Sequence, residues 1–582
     1  MAAHSFSTQV SVCSDMSIWW LIILGGPAAS GVETLIRIGA RLQNTIDFEM
    51  YPTPGSHNTP PGAQYFDVIS FDPRGVNHTM PQLNCFPDPL HRLVWSLAAD
   101  TEGLIGAAST SFDQRWSRFV SRSKTCTSVI QDQGDDSVAY YMGRRSVVDD
   151  IVAIAEHHGQ WREEEARRLL LDPELPTMEL TSAQIIARTR WRRGKEPILF
   201  WGTSYGTVLG STLAAMYPGR IKRMILDSVL SPTYSMFDHT DKNLIHADEL
   251  FARFVQLCHK YGPEKCQVYR ESEEAISEVI SSVLSDLVES PLAVGATMSR
   301  GPDVITQADL KRLIGKSLYQ PKPMFPLLAS VLHDLAQGNG SSLADYKATS
   351  KSLSVTDVLA GRYNVSTKCK ADGPYSPACS RPNDWLEEGL LGISCGDGVA
   401  PGDATKEEFL AYWYGMRNQS SALGDVWSEW DMMCVGWGAK TKWAFDGQLH
   451  LSQAPEYSCS HDIGPYAGTP AHGILFVGNE LDPVCPIEKY VTNPSESRRE
   501  MLILVQSAYK LALSFSGSYV LEQKTIGVGQ CHRISSTYTK IKQHSILSAE
   551  SGCTDSTIRA YFQGKPILPK TECDVRYEAF EE

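Results

Sequence analysis

The stretch ILFWGTSYGTVLGSTLAAMYPGRI, Ile198–Ile221, carries three signals in succession. PILFW, Pro197–Trp201, is a continuous apolar run of the kind that forms a strand buried on both faces. TVLGSTLAAMYPG, Thr207–Gly219, reads as a helix that stops at Pro218-Gly219. Between them stands G-x-S-x-G, as Gly202-Thr203-Ser204-Tyr205-Gly206. The pentapeptide alone is common. Placed directly after a strand and directly before a helix, it predicts a tight turn that presents the Ser204 hydroxyl at the helix N-terminus. Such a turn needs small neighbours on both sides, which Gly202 and Gly206 provide.

The same logic extends along the chain. IWWLIIL (Ile18–Leu24), YFDVISF (Tyr65–Phe71), KRMILD (Lys222–Asp227), GILFVG (Gly473–Gly478) and SYVLEQ (Ser518–Gln523) are further short apolar runs. Helical patterns such as Ser146–Gly159 lie between strands, so the expectation is an α/β fold with a mostly parallel sheet and helices on both faces. From Asp227 to Gly473 the strand rhythm stops and amphipathic helical segments take over, predicting a large helical insertion on the carboxyl side of the sheet. The expected division is residues 17–229 for the first part of the core, 230–440 for the helical insertion or lid, and 441–582 for the part that completes the core. The charged stretch Gln160–Lys195 reads as a solvated surface insertion.

Composition excludes some classes. The net charge of −14 opposes nucleic-acid binding, which needs a basic face. No apolar run reaches the roughly 18 residues of a membrane helix. The 14 cysteines include the close pairs Cys258/Cys266, Cys369/Cys379 and Cys553/Cys573, none with zinc-type spacing. With the sequons at Asn77, Asn339, Asn364 and Asn418 they point to an oxidising compartment, although no export signal is visible.

Two other segments can complete a site around Ser204. LGGPAASG, Leu24–Gly31, follows a predicted strand and can turn backbone N–H groups toward a developing oxyanion. The expected donors lie at Gly26 and Ala28, with a further donor at Tyr205, the residue after the candidate nucleophile. In GILFVGNELDPVCP, Asp482 sits just past a strand end, where it can orient and charge-stabilise a histidine. Two histidines follow it in the candidate region, His532 and His544. Neither a metal nor an organic cofactor is needed by this chemistry.

Taken together the motifs resemble the tripeptidyl-aminopeptidase-like branch of the α/β-hydrolase serine peptidases, related to prolyl aminopeptidases. The resemblance rests on ILGGPAASG, FDVISFDPRGVNHTMPQLNC, GTSYGTVLGSTLAAMYPGRIKRMILDSV, ISCGDG, CVGWG, GNELDPVCP and CTDSTIRAYFQGKPILPKTEC, in order from about Ile18 to Cys573. It implies an α/β-hydrolase fold and a secreted exopeptidase acting on a peptide with a free N-terminus. It also implies a Ser204, Asp482, His544 triad and acidic lid residues for the substrate amine. His544 stands nine residues before Cys553 and His532 stands twenty-one before it, and the family spacing favours His544. Gln530–Gln543 then reads as an insertion. The rival alignment runs GVGQCH without a gap and puts Gln530 or His532 in the histidine's place. Two more departures are Ala28-Ala29 where the family has Gly-Gly, and the apparent absence of the N-terminal edge strands. An esterase or lactonase on the same triad, and an impaired binding relative, remain the other readings.

Overall fold

The computed structural model describes residues 3–6, 19–23, 25–48, 63–87, 89–171, 181–230, 243–298, 300–350, 386–397, 401–443, 472–485, 508, 512, 515, 518–526, 551–574 and 580. The strands are β1 (Ala3–Phe6), β2 (Trp19–Ile23), β3 (Asp67–Phe71), β4 (Ile198–Thr203), β5 (Ile221–Asp227), β6 (Leu292–Val294), β7 (Asp303–Ile305), β8 (Leu475–Leu481), β9 (Tyr519–Ile526) and β10 (Lys570–Asp574). Eight of them form one sheet in the order β1-β3-β2-β4-β5-β8-β9-β10. β1 pairs antiparallel with β3, and the other pairings in this sheet are parallel. All six apolar runs are strands. β1 and β10 carry no unbroken apolar run and are not among those expected. Ala3–Phe6 supplies an antiparallel edge strand where the edge strands looked to be missing; AHSF is too short and mixed to announce one.

Helices cover both faces. In the first part of the core they are α1 (Gly31–Ile46), α2 (Pro89–Glu102), α3 (Ser111–Gln133), α4 (Arg144–Leu169), α5 (Ser182–Thr189) and α6 (Tyr205–Met216). Alternate residues of the parallel strands point to opposite faces. Val68, Leu199, Trp201, Ile225, Leu475, Val477 and Leu521 pack with α1 and the helix Gly552–Phe562. Phe71, Phe200, Met224, Leu226 and Phe476 pack on the other side with α4, α6 and the helical insertion. The continuous hydrophobicity of Ile198–Trp201 has its cause here, because every residue of β4 is buried.

Between β5 and β8 the described elements are helices and the β6–β7 hairpin. The helix Leu386–Ser394 and the segment through Asp397 return from this insertion to the core. Disulfides join Cys85 to Cys126, Cys258 to Cys266, Cys395 to Cys434 and Cys553 to Cys573. Cys369 and Cys379 lie outside the described residues. The charged stretch beginning at Gln160 is not wholly solvated: Arg162 is buried in an ion pair with Glu196, just beyond the stretch. Among the described residues no helix is long and apolar enough to cross a membrane.

Candidate active site

The site follows from topology. β2 lies between β3 and β4. The chain leaves β2 toward one side and returns through β4 on the other, so the loops after β2 and β4 flank a crevice at the carboxyl edge of the sheet. Ser204 follows β4 and Gly25 follows β2 closely.

Ser204 has φ 51° and ψ −122°, outside the usual regions for a non-glycine residue. Holding it there costs about 1–3 kcal/mol. Its N–H donates to the Asp227 carbonyl at 2.9 Å, and its carbonyl accepts from the Thr207 N–H at 2.8 Å and the Thr207 hydroxyl at 2.6 Å. The Thr207 hydroxyl oxygen in turn accepts from the Leu230 N–H. A side chain at Gly202 would stand 2.3 Å from the Gly206 carbonyl oxygen, so the turn closes only with glycine there. Tyr205 begins α6, where the first backbone donors have no intrahelical acceptor.

The loop after β2 presses directly on the serine. A Cβ on Gly25 would lie 2.4 Å from the Ser204 Cβ and 3.1 Å from its hydroxyl oxygen. The Gly25 N–H donates to the Thr203 hydroxyl oxygen at 3.0 Å. The residue in contact is Gly25, one before the Gly26 and Ala28 expected from the sequence. Its signal was the unbranched Gly-Gly pair itself. Gly26 is exposed and Ala28 is buried. Ala28 has φ 67°, in the region that favours glycine, so its methyl group is strained.

Behind this loop lies Asp72, at the end of β3 in the FDPRG motif. It accepts from the Ser30 hydroxyl (2.7 Å), the Val32 N–H (3.2 Å), the His78 N–H (3.1 Å) and contacts His78 Nδ1 (3.1 Å). Burial alone would raise its pKa, but the hydrogen bonds from His78, Ser30 and Val32 outweigh that and hold it low. Asn77 donates to the Ser30 hydroxyl at 3.1 Å and the Thr79 hydroxyl donates to the Asp72 carbonyl at 2.6 Å. This sequon is therefore built into the loop's scaffold: Asn77 bonds Ser30, and Thr79 bonds the Asp72 backbone.

Asp482 follows β8 on the same sheet edge and is fully buried. Its Oδ1 accepts from the N–H groups of Val484 (3.0 Å) and Cys485 (2.8 Å). Oδ2 has no hydrogen-bond partner among the described residues. The Ser228 hydroxyl approaches the carboxyl and lowers its pKa without reaching hydrogen-bond geometry. Burial nevertheless pushes Asp482 up to about 6, against the lowering by the two backbone donors. Ser228 N–H donates to the Val477 carbonyl at 2.9 Å, so backbone bonds run from the Ser204 turn through Asp227–Ser228 to β8. His532, His544 and the segment Gln530–Gln543 lie outside the described residues. β9, which precedes them, runs parallel to β8 and ends at Ile526. Among the described residues no cluster of His, Cys, Asp or Glu could hold a metal ion.

A parallel sheet with helices on both faces and a strained serine between strand and helix has the α/β-hydrolase fold. A sequence model of the alpha/beta hydrolase fold matches residues 54–261, which include Ser204. The chain is also similar to proteins named Serine protease Hip1, from Mycobacterium bovis and Mycobacterium tuberculosis. It is 21% identical to each over 352 residues, covering 59% of this chain and 53% of the relative. The chain thus spans about half the length of the curated relatives it matches.

Proposed function

We propose that this protein is a serine peptidase that releases amino acids or short peptides from peptide N-termini through an acyl-enzyme. The observation that carries the reading is the strained Ser204 turn with Gly25 pressed onto it. In the proposed reaction Ser204 Oγ attacks the scissile carbonyl carbon while His544 takes the hydroxyl proton. Backbone N–H groups of Tyr205 and the Gly26–Ala28 loop hold the oxyanion. The tetrahedral intermediate collapses as His544 returns the proton to the leaving amine. Water, deprotonated by the same histidine, then releases the acyl group and regenerates Ser204.

The open Oδ2 of Asp482 supports its assignment as the acid that orients His544. An imidazolium there would supply the missing partner and keep the carboxylate ionised. Serine protease relatives and the motif series of the tripeptidyl-aminopeptidase-like branch favour a peptide substrate. The helical insertion, residues 230–440, would limit access to chain ends, with residues 17–229 and 441–582 forming the core around it. The four disulfides among the described residues favour an oxidising, extracellular setting.

The test compares tripeptidyl and aminoacyl arylamides, each with a free or an acetylated N-terminus, and p-nitrophenyl esters. Turnover of the free-amine arylamides, lost on acetylation, is expected. Turnover of esters alone would overturn the peptidase reading.

A further inference from the structure

We infer that Asp397, brought in by the helical insertion, is a positioning residue that holds Tyr205 and, through it, the backbone donor beside Ser204. The inference rests on the reading of Ser204 as the nucleophile. The Tyr205 hydroxyl donates to Asp397 Oδ2 at 2.8 Å. Asp397 Oδ1 accepts from the Arg144 N–H, the first of α4, at 2.8 Å. One carboxylate thereby ties the first backbone donor of α4 to the side chain of the first residue of α6.

Neither helix has a local capping side chain: the N-cap residues are Gly143 for α4 and Ser204 for α6, and neither makes a side-chain cap bond. A carboxylate at a helix N-terminus satisfies an orphan donor and complements the dipole, and for α4 it arrives from a distant part of the sequence. Arg144 adds its guanidinium, with Nη2 3.3 Å from the Asp397 carbonyl and Nε 3.6 Å from Oδ1. Burial raises the Asp397 carboxyl to about 6, partly offset by Arg144 and by the Tyr205 hydroxyl. At neutral pH it is ionised, and its bond from Tyr205 is charge-assisted.

The arm that carries Asp397 is itself fixed. The Cys395–Cys434 disulfide lies two residues before it, and the Thr441 hydroxyl donates to the Gly396 carbonyl at 3.0 Å. At the other end of the helix Leu386–Ser394, Glu388 accepts from Arg92 Nε at 2.9 Å. This helix runs so close to the loop after β2 that a Cβ on Gly389 would lie 3.2 Å from the Ala28 methyl. The insertion therefore braces both sides of the candidate oxyanion site, one through Ala28 and one through Tyr205.

The test uses the full chain with Tyr205→Phe, Asp397→Asn and the double variant. Tyr205→Phe keeps the ring and removes only the hydroxyl. Readouts are kcat and KM on a substrate the wild type turns over, fluorophosphonate labelling rate, inhibition by phenylboronic acid, and thermal midpoint as a check of folding. Each single variant is expected to lower kcat about tenfold or more with KM within about threefold, since a small displacement of a reacting or stabilising group is costly. Boronate affinity should fall in parallel, because the adduct uses the same donors. The double variant should be no worse than the worse single, as both remove one link. Additive losses, losses in KM alone, or unchanged kcat in a folded Tyr205→Phe protein would overturn the inference. A wild type that neither labels nor turns over substrate overturns the serine reading and this inference together. A reactive wild type with unaltered variants overturns the inference alone.

Discussion

Two buried aspartates at strand ends have opposite characters. Asp72, after β3, receives bonds on both carboxylate oxygens, from Ser30, Val32 and His78. Asp482, after β8, receives two backbone N–H bonds on one oxygen and none on the other among the described residues. The first is held below the usual carboxylate range and the second is raised to about 6. A saturated buried carboxylate is a structural tie. A half-satisfied one costs stability unless another group completes it, and such groups belong to working sites.

The contrast is broken most severely by neutralising each acid in turn. Asp482→Asn should lower turnover about 10⁴-fold, as loss of an orienting acid does in serine peptidases. The same change should leave the fold as stable or raise it by about 2 kcal/mol at neutral pH, since a buried charge with a pKa near 6 is removed. Asp72→Asn should do the reverse, costing about 3 kcal/mol of stability because it leaves buried donors facing an amide. Folded Asp72→Asn molecules should still label with fluorophosphonate. Urea denaturation and labelling of each variant measure both halves; equal effects would erase the distinction.

The next effect is on pH. A carboxyl with a lowered folded pKa adds stability above its unfolded value, lost as pH falls through the folded one. A carboxyl raised to about 6 acts oppositely: folded protein binds the proton more tightly, and stability falls as pH rises from about 4 to about 6. Asp47 and Asp397 are also raised to about 6 by burial, so wild type alone mixes the contributions. The difference between wild type and Asp482→Asn in urea midpoint across pH 4–7 isolates one. With Oδ2 open it shifts against the wild type over about pH 4–6. A flat difference would mean that Oδ2 is completed in the folded chain, as the proposed His544 contact would do.

The smallest effect concerns the loop beside Asp72. Ala28 carries a methyl group at φ 67°. Ala28→Gly should stabilise the fold by about 0.5–1 kcal/mol, the left-handed cost for alanine exceeding glycine's extra chain entropy. Thermal or urea midpoints measure it, and a loss of stability would mean that packing of the methyl matters more than strain.

Much of this was legible in the sequence, for physical reasons. The central parallel strands are buried on both faces, so they stand out as unbroken apolar runs. β10 does not, because KTECD lies at the sheet edge with only Cys573 buried. Ser204 could be read because the turn's steric demand is local. Asp72 was visible only as part of FDPRG, and its four contacts come from two segments, Ser30–Val32 and His78. Gly25 escaped because closeness to Ser204 is set by the β2–β4 pairing. Asp397 escaped because its partners Arg144 and Tyr205 are remote in sequence. Arg162 looked solvated because pairing with Glu196 is invisible in a string of charges.

The most direct test of the account is fluorophosphonate labelling of the folded wild-type chain beside Ser204→Ala, Asp482→Asn, His544→Ala and His532→Ala. The account predicts a labelled wild type, no labelling of Ser204→Ala, strongly slowed labelling of Asp482→Asn and His544→Ala, and wild-type labelling of His532→Ala. An unlabelled wild type, or labelling that survives loss of Asp482, would contradict it.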